Sequence, residues 1–355
     1  MVNPEVLRQF MLPEANYELQ PYGSGHINST YLVCGGREKY ILQKINVSVF
    51  PDVDGLMRNV SSVCDFNVRK TVAKGGDAER CLRPVKTKDG KNYCFFENGY
   101  YRVYNFIENT VSINIPLSAG HFGEGSACFA RFAENLAEFD ASSLTDVIPG
   151  FHDTGARVKK FEESAVKDKY GRKKEALPLA EFIYERSLSA DVITNGLKRG
   201  DIPLRVTHND TKFNNLLFDE KTKKPVAVID LDTVMKGSVL YDFGDAIRTG
   251  CNPAEEDEKD LSKVVFLKDY YDAAINSYFA VLKNELTETE KNLFGFSAML
   301  MTYECGVRFL TDYFDGDVYF RTHYDGQNLC RAKTQFRLVA EMEKVFGKMT
   351  EYAGR

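Results

Sequence analysis

The sequence predicts an α+β chain of two lobes, a small β-rich front followed by a larger and mainly helical back. Three observations carry this prediction. Short aromatic and β-branched runs, "STYLVCG", "KYILQKI", "NYCFFENG" and "YYRVYNFI", fill residues 22–104 between turns such as "CGGREK" and "KDGK", which is the texture of strands. After "FIENT" at 106–110, Phe122, Phe129, Phe132, Leu136 and Phe139 recur at roughly helical spacing. The chain has 355 residues, about twice a typical domain, and ample apolar content for a core. The expected division is therefore a front lobe over 1–104, a hinge over 105–110 and a back lobe over 111–355.

The elements follow in order. "YGSGHINSTYLV" at 22–33 sets Gly23 and Gly25 between apolar β segments, where backbone amides can approach phosphate oxygens with no side chain in the way. The loop leads into another strand and not into a helix, which argues against a dinucleotide fingerprint. His26 in this loop either touches a ligand or caps the turn. A helix is expected near 54–72, and helical segments within the charge-rich stretch 155–200 and again over 257–350. At 150–155, "GFHDTG" either places His152 in a cleft or uses Asp153 and Thr154 as helix caps.

Composition excludes several classes of function. The formal net charge is −5, and a general nucleic-acid binder needs a basic face to replace the counterions around phosphates. The N-terminus carries acids and a proline where a secretory leader needs an apolar stretch, and no window nears the ~18 apolar residues of a membrane span. A cytoplasmic protein without nucleic-acid or membrane partners is expected. Eight cysteines form no CxxC pair and do not cluster with the five histidines, which disfavours a zinc site and a secreted disulfide framework.

The stretch "VTHNDTKFNNLLFD" at 206–219 concentrates the chemistry. Its apolar shoulders, Leu204–Val206 and Leu216–Phe218, read as two short strands, so the polar residues lie on a loop held by a scaffold. His208, Asp210 and Asn215 make an H-x-D-x-x-x-x-N pattern, and Asp230 follows the apolar run "VAVI". Phosphoryl transfer needs this set: one carboxylate orients the attacking hydroxyl, while an Asn and a second Asp hold Mg²⁺. Asp232, two residues on, would share a face with Asp230 in an extended segment and join the metal or the substrate. A literal "DFG" at Asp242–Gly244 lies too far beyond Asp210 for the metal role, and Asp242 is expected to brace the loop from behind.

"THNDTKFNNLLFD" with "VIDLDTVMKGSVLYDFGD" resembles the aminoglycoside phosphotransferase and choline kinase group, whose fold is similar to that of protein kinases. The likeness is closer still to the bacterial N-acetylhexosamine 1-kinases, through "PYGSGHINSTYLV", "YILQKIN", "FPDVDGLMRNV", "RVYNFIENTVS", "FHDT", "LRVTHND", "IDLDT" and "ECGVRFLTDYFDGDVYF", spread over nearly the whole chain. The resemblance implies transfer of phosphate from ATP, with Mg²⁺, to the anomeric hydroxyl of N-acetylglucosamine or N-acetylgalactosamine in amino-sugar salvage, by a monomer or weak homo-oligomer. It makes Asp210 the base at the acceptor hydroxyl, Asn215 and Asp230 the metal ligands, and His208 a buried brace. Gly23, Ser24 and Gly25 would meet the phosphates, and the backbone of Phe106, Ile107 and Glu108 the adenine. His26, Arg308 and Tyr319 match sugar contacts.

One departure stands out against the wider kinase pattern. The usual strand lysine falls in "YILQKIN", where alternation puts Ile41 and Gln43 on one face and Leu42 and Lys44 on the other. Gln43 holds the expected position. The phosphate charge is then left to Mg²⁺, the glycine-loop amides and either Lys44 or Arg58. Arg308 has its own ambiguity, since Glu304 four residues earlier offers an ordinary helical ion pair. Other small-molecule kinases of this fold, acting on methylthioribose, homoserine, choline or aminoglycosides, and a nucleotide-binding pseudokinase are the alternatives.

Overall fold

The computed structural model describes residues 2–23, 27–36 and 38–354. Strands β1 (Glu18–Pro21), β2 (Ser29–Gly35) and β3 (Glu38–Lys44) run as an antiparallel meander. Helix α1 (Val53–Ala73) follows, and then β4 (Cys94–Phe96) and β5 (Gly99–Asn105) complete a five-stranded sheet in the order β1-β2-β3-β5-β4. Strand alternation sorts its two faces. Val33, Leu42, Tyr101 and Val103 pack with Val6, Leu7 and Phe10 in a small core of their own. The opposite face carries Gln43 and Arg102, which sit directly across from each other in the β3–β5 register.

Helix α1 covers that second face. Asp52 caps it by accepting the Gly55 amide at 2.9 Å, and Leu56, Met57, Val60, Val63 and Cys64 form its buried stripe. Asn59, also buried, turns away from the sheet: its Nδ2 donates to the carbonyls of Thr145 (2.8 Å) and Val234 (2.9 Å), and its Oδ1 accepts the Thr145 amide (3.0 Å).

The chain leaves the first sheet at Asn105 and joins a second at β6 (Thr110–Ser112). Helices α2 (Ala119–Asn135), α3 (Thr154–Lys167), α4 (Lys173–Arg186) and α5 (Val192–Arg199) intervene before β7 (Arg205–Thr207), β8 (Leu216–Asp219), β9 (Pro225–Val228) and β10 (Met235–Gly237). The strands expected at either end of the "THND" loop do form, as β7 and β8, but in different sheets: β7 pairs with β10, and β8 lies between β6 and β9. Helices α6 (Val239–Gly250), α7 (Lys268–Leu282), α8 (Glu288–Asp315) and α9 (Gln327–Phe346) close the chain. The spacing of Phe122, Phe129 and Phe132 is that of the buried side of α2, which packs on α7, while α8 runs through the core against α3, α6 and α9. The eight cysteines are free thiols, and among the described residues no helix is long and apolar enough to cross a membrane.

Candidate active site

Two loops, 207–215 between β7 and β8 and 229–234 between β9 and β10, are sewn together. The imidazole of His208 is fully buried against Phe129 and Phe132. Its Nε2 faces the Ile229 carbonyl at 2.8 Å, and its Nδ1 accepts the Asp210 amide at 3.3 Å. A carbonyl can only accept, so these partners fix the Nε2–H tautomer. Thr233 Oγ1 donates to the His208 carbonyl at 2.7 Å, and Asn209 Nδ2 donates to the Thr233 carbonyl at 2.8 Å. Asp242, in the first turns of α6, accepts both loop amides, His208 N at 2.9 Å and Asn209 N at 2.7 Å. Burial pushes the Asp242 carboxyl upward, against the pull of those donors. Asn209 and Asp230 both hold left-handed backbone, φ 65° and 61°, a conformation non-glycine residues keep only where their surroundings enforce it.

This scaffold presents Asp210. Asn215 Nδ2 donates to its carbonyl at 2.7 Å and to its Oδ2 at 3.0 Å, and Lys212 Nζ lies 3.0 Å from its Oδ1. Burial alone would raise the Asp210 carboxyl, but the Lys212 ammonium, helped by His208 and the Asn215 amide, holds it below the ordinary carboxylate value. The carboxylate stays charged while part of it remains exposed to solvent. Lys212 belongs to the motif by position, though pattern and spacing alone assign it no role.

Asp230 has a different setting. It is exposed to solvent, and among the described residues its carboxylate makes no hydrogen bond or ion pair. Crowding by protein, then the charges of Asp232 and Asp210, push it upward, an effect damped by its access to water. Asn215 spends its amide nitrogen on Asp210 and keeps its oxygen. Among the described residues that carboxylate and that amide oxygen, both near Asp210, have no hydrogen-bond partner, and they are hard donors that suit Mg²⁺, which binds few protein ligands and keeps water or phosphate oxygens for the rest. Among the described residues no group of three or more His, Cys, Asp or Glu is placed to hold a metal ion.

Asp232 does not share Asp230's face, because the left-handed Asp230 is followed by a 3₁₀ turn over Leu231–Thr233 and the alternation of an extended segment is lost. Its buried carboxylate meets Arg102 Nη1 at 2.5 Å and accepts from Asn28 Nδ2 at 2.5 Å. The Arg102 approach is off the N–H axis, so that contact is ionic and not a linear hydrogen bond. Gln43 Oε1 in turn accepts from Arg102 Nε (3.0 Å) and Nη2 (2.8 Å). Neither cation considered from the sequence lies here. Lys44 points to the other side, toward Asn98 Oδ1 at 3.4 Å and the Tyr101 ring, and Arg58 is exposed on α1.

Of the glycine loop, Gly23 is left-handed at φ 76°, whereas Ser24, Gly25 and His26 lie outside the described residues. In the connection after β5, Phe106 packs edge-on to Tyr22, the Ile107 carbonyl accepts from Thr110 Oγ1 at 2.6 Å, and Glu108 pairs with Lys39 at 3.3 Å.

A second cluster gathers around α8. Glu304 does not pair with Arg308. Its carboxylate faces His152 Nδ1 at 2.8 Å and accepts from Thr154 Oγ1 at 2.6 Å, while Asp153 caps α3 through the Ala156 amide at 2.9 Å. The "HDT" triplet therefore serves both uses considered for it, a cap and a buried contact. Arg308 is left with the rings of Phe151, Tyr319 and Phe320 and, among the described residues, no ion pair. Burial and the Arg308 charge both lower Arg157 nearby. From Asp210 the path to this cluster runs through Lys212, the buried Asp245–Arg248 pair (2.8 Å) and Cys305, each in the electrostatic field of the next.

Comparison with known proteins bears on the family and the fold. A family model described as the phosphotransferase enzyme family, APH, matches residues 18–270. Among solved structures, an aminoglycoside phosphotransferase from Alicyclobacillus acidocaldarius superposes with a TM-score of 0.63 at 13% identity, covering 99% of this chain and 95% of its own. A microcompartment-associated aminopropanol kinase gives 0.61 at 15% identity, covering 98% and 97%. A spectinomycin phosphotransferase in complex with ADP and spectinomycin gives 0.54 at 13% identity, covering 96% of each chain. At such identities the likeness speaks to the fold, which is the protein-kinase-like one expected from the sequence.

Proposed function

Because the chain belongs to the phosphotransferase enzyme family, whose members act on small molecules, we propose that it is an ATP- and Mg²⁺-dependent N-acetylhexosamine 1-kinase, built as a front lobe over 1–104, a hinge over 105–110 and a back lobe over 111–355. Asp210 orients the acceptor hydroxyl and takes its proton late, as phosphoryl transfer advances through a loose transition state. Lys212 keeps that carboxylate ionised, and Asn215 aims it. Asp230 and the amide oxygen of Asn215 would hold the metal, which would supply charge neutralisation at the phosphates. His208 and Asp242 fix the backbone that carries these groups, so little reorganisation is needed in the reaction.

The observation that carries the acceptor class is Arg308. The solved neighbours are named for amine-bearing acceptors, and an ammonium needs carboxylates or bare aromatic faces to receive it. Here the α8 cluster offers guanidinium groups instead: burial and the nearby Arg308 charge both lower Arg157, and of the carboxylates close to it Glu304 is already engaged by His152 and Thr154 while Asp153 caps α3. Such a surface suits a neutral acceptor rich in oxygen, with ring hydroxyls and an acetamido carbonyl to accept the Arg308 N–H groups. The motif likeness to sugar kinases points the same way.

An ADP-release screen with Mg²⁺ across N-acetylglucosamine, N-acetylgalactosamine, free hexoses, choline and aminoglycosides tests the reading. Turnover is expected with the N-acetylhexosamines and none with methyl N-acetylglucosaminide, which lacks only the anomeric hydroxyl. Phosphorus NMR should show the product phosphate coupled to the anomeric proton. A 6-phosphate product, turnover of the methyl glycoside, or preference for an amine acceptor would overturn it.

A further inference from the structure

Of the three acids around the candidate site, two have basic partners. Lys212 answers Asp210 at 3.0 Å and Arg102 answers Asp232 at 2.5 Å, while among the described residues Asp230 has none. Arg102 is the unusual member of this arrangement. Its side chain is 1% exposed, and a guanidinium is removed from water at heavy cost unless its donors are met. Nε and Nη2 are spent on Gln43 Oε1, and Nη1 lies against Asp232 and, at 3.7 Å, Met57 Sδ. Gln43 is itself held, since its Nε2 donates to Thr30 Oγ1 at 3.1 Å. Strands β2, β3 and β5, helix α1 and the 231–233 turn thus converge on one ion pair. The sixth contributor is Asn28, which follows the glycine loop: it grips the other Asp232 oxygen while its Oδ1 accepts the Asn46 amide at 2.9 Å.

We propose that Arg102 is a positioning residue for phosphoryl transfer, acting through Asp232 to set the turn that carries Asp230. The inference rests on the phosphotransfer reading above. Gln43 occupies the strand position where a cation was expected, and the cation stands instead on the next strand, at the residue paired with Gln43 in the ladder. From there it does not reach outward: each of its three nitrogens has a partner within the core. Its effect is to take Asp232 out of competition for a metal and to pin the residue two places beyond Asp230, a left-handed residue exposed to solvent. Because Asn28 holds the same carboxylate, the end of the glycine loop and the Asp230 turn are registered against a single group. A lysine at 102 keeps the charge but offers no fork to bridge Gln43 and Asp232 together.

The test uses the full chain and the variants Arg102→Gln, Arg102→Lys, Asp232→Asn and the double variant Arg102→Gln/Asp232→Asn, with folding checked by circular dichroism. Binding of a fluorescent ADP analogue is measured with and without Mg²⁺, beside kcat and both KM values. Arg102→Gln is expected to weaken the Mg²⁺-dependent binding and lower kcat by ~10–100-fold, the scale for groups that orient metal ligands from behind. Binding without Mg²⁺ and KM for the acceptor should move less than about two-fold, within ordinary mutational scatter, and Arg102→Lys should recover part of the loss. The double variant should lose no more than the worse single one, as expected of two groups acting as a unit. If Arg102→Gln does not fold, Asp232→Asn alone must show the same Mg²⁺-specific loss. A folded variant with unchanged Mg²⁺ dependence, or an equal loss with and without Mg²⁺, overturns the inference while leaving the kinase reading intact. Absence of Mg²⁺-dependent nucleotide binding in the unaltered protein would instead overturn that reading.

Discussion

Asp242 accepts the amides of His208 and Asn209, one on each carboxylate oxygen, and so holds two successive residues of the candidate catalytic loop from the far side. Removing it strands two buried N–H groups, each worth about 1–3 kcal/mol when left unmet. Asp242→Ala should therefore lower stability by about 3 kcal/mol in urea melts, while Mg²⁺-dependent nucleotide binding by the folded fraction survives. Asp230→Ala should do the opposite, melting near the unaltered protein and losing that binding in calorimetry. The reverse pattern would move the metal site to Asp242.

Asp210→Asn keeps the size of the side chain and removes the charge. We expect nucleotide and sugar affinity to stay within a few-fold and kcat to fall by at least ~10², the usual scale for a positioned acid or base. Near-normal turnover would remove Asp210 from the chemistry.

Arg308 has aromatic neighbours and no ionic partner among the described residues, and Tyr319 is 65% exposed beside it. Changing either to Ala should raise KM for the N-acetylhexosamine by ~10-fold or more, the loss of a hydrogen bond involving a charged group, and leave KM for ATP nearly unchanged. Equal effects on both substrates would point to a structural role.

Glu304 supplies a pH signature. Burial pushes its carboxyl up, but His152, Arg308 and Thr154 outweigh that and hold it below its ordinary 4.5. A depressed acid stabilises the fold above its unfolded value, and the stabilisation is lost as pH falls through the folded one. Glu304→Gln should therefore show its full melting deficit at about pH 7 and a smaller one below about pH 4. A deficit independent of pH would mean that packing alone accounts for it.

What was legible in the sequence was local. His208, Asp210 and Asn215 lie within one loop and Asp230 directly after a strand, so pattern and spacing bring them together. The 41–44 alternation also holds, with Leu42 buried in the small core and Gln43 facing Arg102. What could not be read depended on register or on a break in it. Arg102 meets Gln43 only because β3 and β5 align those two residues. Asp232 escaped because a single left-handed residue at 230 undid the two-residue period. Glu304 found partners 150 and 152 residues away, where helical spacing offered Arg308. Lys212 was in plain view, and its weight appears only once its ammonium is seen beside Asp210.

The three hydrogen bonds of Asn59 bear on how such a protein is kept ready. Both ends of that amide are anchored outside the first sheet, on the backbone of Thr145 and Val234, so α1 is bolted to the part of the chain that carries Asp230 and has little free play. Swinging the helix outward would strand all three bonds at once, at about 1 kcal/mol or more apiece, before any packing is lost. A gate of the kind that toggles enzymes by tilting one helix would start from a deep well here. The amide of one residue thus fixes α1 against the turn that carries Asp230.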